Sequence, residues 1–182
     1  QPGATVLATL WSGLEQDNVV FLEHLSWWIS LGLILAFFPY FPYSKHAHLF
    51  MGPLNYMASV DRRSPATLEI MDLEDEDAEQ FGAGKIEHLP QKEILDAYAC
   101  IMCNRCQDVC PAYQTGKELS PAALEINKRY YLNDNLKDFS EGSSSLESLS
   151  KWMLSEEAAW SCTTCGFCVD TCPVGNEPMV DI

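Results

Sequence analysis

The chain holds eight cysteines, all in two runs: "CIMCNRCQDVCP" from Cys100 to Pro111 and "CTTCGFCVDTCP" from Cys162 to Pro173. Each run reads C-x2-C-x2-C-x3-C-P. Four thiolates in so short a run suit a compact, soft, multi-centre ligand. The spacing is that of chains carrying two [4Fe-4S] cubanes, in which each run gives three cysteines to one cubane and its fourth to the other. Interleaving predicts cluster one on Cys100, Cys103, Cys106 and Cys172, and cluster two on Cys162, Cys165, Cys168 and Cys110. The proline after each fourth cysteine lacks an N–H and turns the chain away from the cluster. Two other uses of the thiols compete. Disulfides require an oxidising compartment, and cysteines this close in one run are poorly placed to bridge within it. Zinc held by four cysteines usually takes two separated C-x2-C pairs. With every thiol absorbed, none remains for a separate nucleophile or redox dithiol.

The segments around the runs read as helix. Pro90 fits a first turn, and Ile94, Leu95 and Tyr98 recur at helical spacing up to Cys100. "SPAALEINKRYY" begins with Ser120 as N-cap and Pro121 at the first helical position, with Ala123, Ile126 and Tyr130 on one apolar stripe. The Ser-rich stretch 140–150 is a loop running into a helix whose Leu146, Leu149, Trp152 and Met153 form an apolar face, and Ser155 caps a further turn into "AAWSC". Trp152 and Trp160 are assigned to packing around the clusters. This pattern predicts an all-helical two-cluster domain over residues 90–182 rather than a small βαβ fold.

A different chemistry precedes it. From Leu25 to Tyr43, "LSWWISLGLILAFFPYFPY" runs 19 residues without a formal charge. A helix from about Asn18 to Phe38 would be roughly 31 Å long, enough for one bilayer crossing. Trp27 and Trp28 towards one end and Tyr40 and Tyr43 at the other match an aromatic belt, and Pro39 and Pro42 end the helix. A buried core helix and a signal peptide are the alternatives, the latter lacking a basic n-region. All eleven Lys and Arg lie at or after Lys45, whereas the first 44 residues carry only Glu15, Asp17 and Glu23. Lys45, Arg62 and Arg63 therefore put the C-terminal side in the cytoplasm, a reducing compartment that suits thiolate ligation.

The expected fold class is mainly α. Residues 1–17 form an extracytoplasmic loop segment and 18–43 the transmembrane helix. Residues 44–89 are a cytoplasmic linker, and 90–182 the cluster domain. Within the linker, "ATLEIM" and "FGAGKIEHL" are candidate strands of a short β-hairpin flanking "DLEDEDAE", an acidic run that is either a solvated loop or a docking patch for a basic electron donor. "GAGK" lacks the span and the Ser or Thr of a phosphate loop. A net charge of -15 argues against nucleic acid as a partner. The start at Gln1 and the stop at "EPMVDI" are those expected of a piece of a longer chain.

"LDAYACIMCNRCQDVCPAYQTGKELSP" with "AWSCTTCGFCVDTCPVGNEPMVDI" resembles the helical ferredoxin module of heterodisulfide-reductase-related membrane oxidoreductases, itself similar to the iron-sulfur domain of succinate dehydrogenase and fumarate reductase. "LSWWISLGLILAFFPYFPYSKHAHLF" resembles the last membrane helix of the nitrate reductase gamma-subunit type. That resemblance implies heme b, with His48 as an axial ligand. The family's other histidine on this helix, 18 residues earlier, is Ser30 here. A serine hydroxyl is a poor axial ligand beside an imidazole. His46 and His48 also read as interfacial histidines, His24 as structural and His88 as surface. The Cys-Cys-Gly motifs of the family's larger members are absent from this sequence.

The function expected is a subunit anchored in the cytoplasmic (inner) membrane. It would pass electrons through two [4Fe-4S] clusters between a cytoplasmic donor, such as a flavoprotein, and the quinone pool by way of heme b. Other membrane or redox subunits would be its partners. The alternative is an anchor and iron-sulfur wire within a larger complex, without a heme or quinone site of its own. A third possibility is a structural or sensory role for the clusters.

Overall fold

The structure, a computed structural model, describes residues 2–59, 68, 73–74, 82–145 and 147–182. Most of the first candidate strand and of the acidic run, with Arg62, Arg63 and Leu146, lie outside the described residues. The chain divides into two units, Gln1–Ser44 and Lys45–Ile182.

The first unit is two helices. The expected loop over 1–17 is replaced over most of its length by α1 (Pro2–Trp11). Pro2 suits a first turn, where no N–H is needed, and the residues that follow include good helix formers such as Ala4, Ala8 and Leu10. The second helix, α2 (Gln16–Tyr40), runs 25 residues and buries none of them, a length of about 38 Å at 1.5 Å per residue. It is long and apolar enough to cross a membrane. Large side chains such as Phe21, Trp28, Leu33 and Phe38 stand exposed around it, so a lipid or protein surface must cover them. Pro39 sits inside the last turn, and the helix gives way after Tyr40 to a 3-10 turn, Phe41–Tyr43, containing Pro42. The Ser30 hydroxyl donates to the Ser26 carbonyl, 2.8 Å away, so it is satisfied by its own helix.

The second unit is a set of mostly short helices. After a 3-10 turn, Lys45–Ala47, come α3 (His48–Ala58) and α4 (Gln91–Ala99), which pack on each other. The first cysteine run carries α5 (Arg105–Asp108) and α6 (Pro111–Gln114). The long α7 (Pro121–Asp134) follows, then α8 (Leu136–Ser140), α9 (Leu149–Trp152), α10 (Glu156–Trp160) and, in the second run, α11 (Phe167–Asp170). The fold is mainly α, and no strand occurs among the described residues. The second candidate strand instead contains a 3-10 turn, Ile86–His88. Its neighbourhood bonds to the Ser-rich loop: the Leu149 N–H donates to the Gly84 carbonyl at 3.1 Å, and the Ser145 N–H donates to the Glu87 carboxylate. Ile86 thereby enters a core with Leu89, Ala97, Leu124, Leu132, Leu149 and Met153.

Both expected caps are present. Ser120 Oγ accepts from Ala123 N at 3.1 Å, and Ser155 Oγ from Ala158 N at 3.2 Å. The expected stripe on α7 is wrong. Ala123 and Tyr130 are exposed, and the buried face is Ala122, Leu124, Glu125, Lys128, Arg129 and Leu132. An apolar pattern cannot find a face that buries charged side chains against each other. Trp160 is also displaced from its expected role, being 84% exposed, whereas Trp152 stacks on Tyr131 with ring centroids 3.9 Å apart.

Candidate metal centres

The two runs fold into the same turn. Met102 and Asn104 in the first have φ of 57° and 62°; their counterparts Thr164 and Gly166 have 49° and 76°. The second left-handed residue of each run caps the short helix that follows, α5 after Asn104 and α11 after Gly166. Asparagine and glycine differ in sequence but are residues that readily take this conformation. That equivalence explains why Asn104 stands where the second run has glycine.

The turns point cysteines at two cavities. Cys100, Cys103, Cys106 and Cys172 line cavity one, with Ala122, Glu125, Val174 and Asn176 in its walls. Cys110, Cys162, Cys165 and Cys168 line cavity two, with Ala112, Leu119, Pro121, Met179 and Ile182. The fourth cysteine of each run thus lies with the first three of the other, and α5 packs against α11. All eight are free thiols. Among the described residues no three His, Cys, Asp or Glu converge closely enough to hold one metal ion. A cubane takes its four thiolates on four separate irons.

The donor set fits such a group. Backbone N–H groups already face the sulfurs: Met102 N to Cys100 Sγ and Thr164 N to Cys162 Sγ at 3.4 Å, and Asn176 N to Cys172 Sγ at 3.3 Å. These are the contacts that tune a cluster's potential. Burial pushes the thiols up, Cys100 to about 11 and Cys106 and Cys168 to about 12, so iron must displace their protons on binding.

Residues that the sequence pattern did not single out support the wall of cavity one, and Glu125 and Asn176 lie in it. Asn55 of α3 donates to Asp96 Oδ1 at 2.6 Å and to the Val174 carbonyl at 3.1 Å. Lys92 reaches the same carboxylate oxygen at 2.6 Å, and Asn176 Nδ2 donates to the Asp96 carbonyl at 2.7 Å. Glu125, in the wall itself, lies 3.2 Å from Lys128 Nζ without hydrogen-bond geometry, and Lys128 also contacts Asp181. Burial raises Glu125 to about 8, against the pull of Lys128. Burial and then Asp181 raise Glu93 to about 7. Burial opposes the Lys128 charge, but Glu125 and Asp181 outweigh it and hold the ammonium above its ordinary range. The one available signal was the Glu125, Lys128 pair at i, i+3 on the same side as Leu124 and Leu132.

His48 is not on α2. It is half-buried and opens α3, with Nδ1 2.5 Å from the Lys45 carbonyl. The 18-residue interval from Ser30 therefore does not run along one helix. His24 and His88 are exposed, and His88 Nδ1 accepts from the Gly84 N–H at 3.3 Å. A wider cleft lined by Tyr131, Asn135, Asp138, Phe139 and Glu147 holds no cysteine.

Paired thiol cavities in a helical unit are the mark of an iron-sulfur electron-transfer domain, and residues 96–176 match the 4Fe-4S dicluster domain. Among characterised proteins the chain is 37% identical to a probable iron-sulfur-binding oxidoreductase, FadF, of Bacillus subtilis, over 97% of this chain and 30% of that protein. It is 29% identical to an EtfAB:quinone oxidoreductase of Syntrophomonas wolfei, over 100% of this chain and 28% of that protein. It is also 29% identical to a probable membrane-anchored ferredoxin of Chromohalobacter salexigens, over 60% of this chain and 19% of that protein. The chain spans less than a third of the length of these relatives. No solved structure matches it.

Proposed function

We propose that this chain is the membrane-linked iron-sulfur segment of a quinone-dependent oxidoreductase. It holds one [4Fe-4S] cluster on Cys100, Cys103, Cys106 and Cys172 and another on Cys162, Cys165, Cys168 and Cys110. Cubanes move one electron at a time. The flow would run between a flavoprotein donor in the cytoplasm and quinone in the inner membrane, with α2 as the span and other redox subunits or segments completing the path. The sorting of the cysteines into two cavities of four carries this reading. The relative described as an EtfAB:quinone oxidoreductase supports the choice of donor and acceptor. In the test, the full-length protein in proteoliposomes is mixed anaerobically with reduced electron-transfer flavoprotein. Bleaching of iron-sulfur absorbance, reversed by a quinone analogue, is expected; clusters that respond to neither reactant would overturn the proposal.

Heme b is the finer question. With Nδ1 held by a carbonyl, His48 would offer Nε2 to a heme, the second axial ligand coming from another helix. The position of His48 outside α2, with Ser30 bonded to its own helix, favours the second reading, in which the chain is an anchor and wire without heme. A b-type band in the reduced-minus-oxidised spectrum that disappears in His48→Ala would restore the heme.

A further inference from the structure

We propose that α3 is an interfacial helix, its outer face lying on the lipid bilayer and its inner face bonded to the loop that lines cavity one, so that cluster one is nearer the membrane than cluster two. The proposal rests on the reading of α2 as a membrane span and of the cavities as cluster sites.

The amphipathicity of α3 is inverted. Its buried residues are Gly52 and Asn55, one without a side chain and the other polar. The opposite face presents Leu49 (58% exposed), Phe50 (66%), Leu54 (47%) and Met57 (81%), with Pro53 also exposed. Positions 49, 50, 53, 54 and 57 share one side of a helix. A helix on a water-soluble domain places its apolar stripe inward; this one places it outward, as a helix lying in a membrane surface does.

Chain connectivity identifies the occupant. The span ends at Tyr40 and α3 begins at His48, and the intervening residues include two 3-10 turns. At about 2 Å rise per residue in such turns, the connection reaches roughly 15 Å. If α2 crosses a bilayer, α3 is tethered at its surface, and an apolar face held there meets lipid.

The inner face ties α3 to cavity one. Asn55 donates to Asp96 and the Val174 carbonyl, and the Tyr56 hydroxyl donates to the Pro173 carbonyl at 2.9 Å. Gly175 has a φ of +73°, and a Cβ there would stand 3.0 Å from the Tyr56 ring, so the loop after Cys172 is shaped to let α3 approach. No residue of α3 lines either cavity, but Pro173, Val174 and Asn176, which it contacts, line cavity one and not cavity two. Near cavity two, Trp160 and Phe167 are exposed, on segments that α3 does not cover.

The test is photocrosslinking of the full-length protein in its native membrane, with p-benzoylphenylalanine replacing Leu54, Met57, Leu33 or Trp160 one at a time, and lipid adducts read by mass spectrometry. Lipid adducts at Leu54 and Met57, several-fold above those at Trp160 and comparable to those at Leu33 of α2, are expected. Lipid adducts at Leu33 with protein adducts or none at Leu54 and Met57 would overturn the interfacial helix while leaving the span intact. Adducts at Trp160 matching those at Met57 would overturn the placement of cluster one nearer the membrane. Absence of lipid adducts at Leu33 would overturn the span, and the proposal with it.

Discussion

Cavities one and two are framed by one backbone turn used twice, Met102 and Asn104 in the first run answering Thr164 and Gly166 in the second. Their walls differ in kind. Cavity two is lined, apart from its thiols, by side chains such as Leu119, Pro121, Met179 and Ile182. Cavity one has the Glu125 carboxylate in its wall and, behind it, a buried set of Lys128, Asp181, Glu93 and Asp96. Four thiols on a cubane fix the turn. The charges around it set how readily an electron is accepted. On the proposed reading the shared geometry would belong to the ligand, and the difference between the walls would separate the two potentials.

The sharpest way to break this comparison is to exchange fourth ligands. Cys172→Ser should remove cluster one and leave the signal of cluster two, with iron content falling by about half, and Cys110→Ser should do the reverse. Iron analysis with EPR checks it, and loss of cluster two in Cys172→Ser would show that the sorting is wrong. Next in size is the buried charge set. Lys128→Met leaves Asp181 buried without its counter-charge and should destabilise the domain by about 3–5 kcal/mol in chemical denaturation. A volume-conserving substitution of an apolar wall residue of cavity two, such as Met179→Leu, should cost no more than about 1.5 kcal/mol.

A pH effect should separate the walls further. Glu93 is raised from 4.5 to about 7 by burial, so the folded state binds its proton more tightly than the unfolded state does. The stability it confers is complete below about pH 4.5 and is lost as pH rises through about 7. Glu93→Gln should flatten that slope in denaturant titrations across this window. A smaller effect is expected from the repeated turn: Gly166→Ala should cost about 1 kcal/mol and Gly166→Asn less, since Asn104 already occupies the matching position. Subtlest is Glu125→Gln, which should raise the midpoint of cluster one and leave that of cluster two in place. EPR-monitored redox titration at about pH 9, where the carboxylate is charged, checks this.

The cysteine spacing, the two serine caps and the long apolar helix were legible because each depends on local rules that one segment satisfies alone. The support behind the wall of cavity one was not. Asn55, Asp96, Lys128 and Asp181 come from distant parts of the chain, and a buried charge becomes intelligible only beside its counter-charge. The same cause misplaced the stripe on α7, where Ala123 and Tyr130 suit a core by type but Glu125 and Lys128 occupy it. Trp160 was misjudged because large aromatic residues are usually buried, whereas this one stands exposed. His48 followed a spacing that assumed one continuous helix, which ends at Tyr40 just after Pro39.

The central claim is that two cubanes occupy two cavities of four cysteines each. Its most direct test is iron and acid-labile sulfide analysis of the anaerobically purified protein, joined to low-temperature EPR of the dithionite-reduced sample. About eight irons and eight sulfides per chain are expected, with two magnetically interacting [4Fe-4S] signals. Bound zinc in place of iron, or a single cluster's worth of iron and sulfide with one isolated signal, would contradict it.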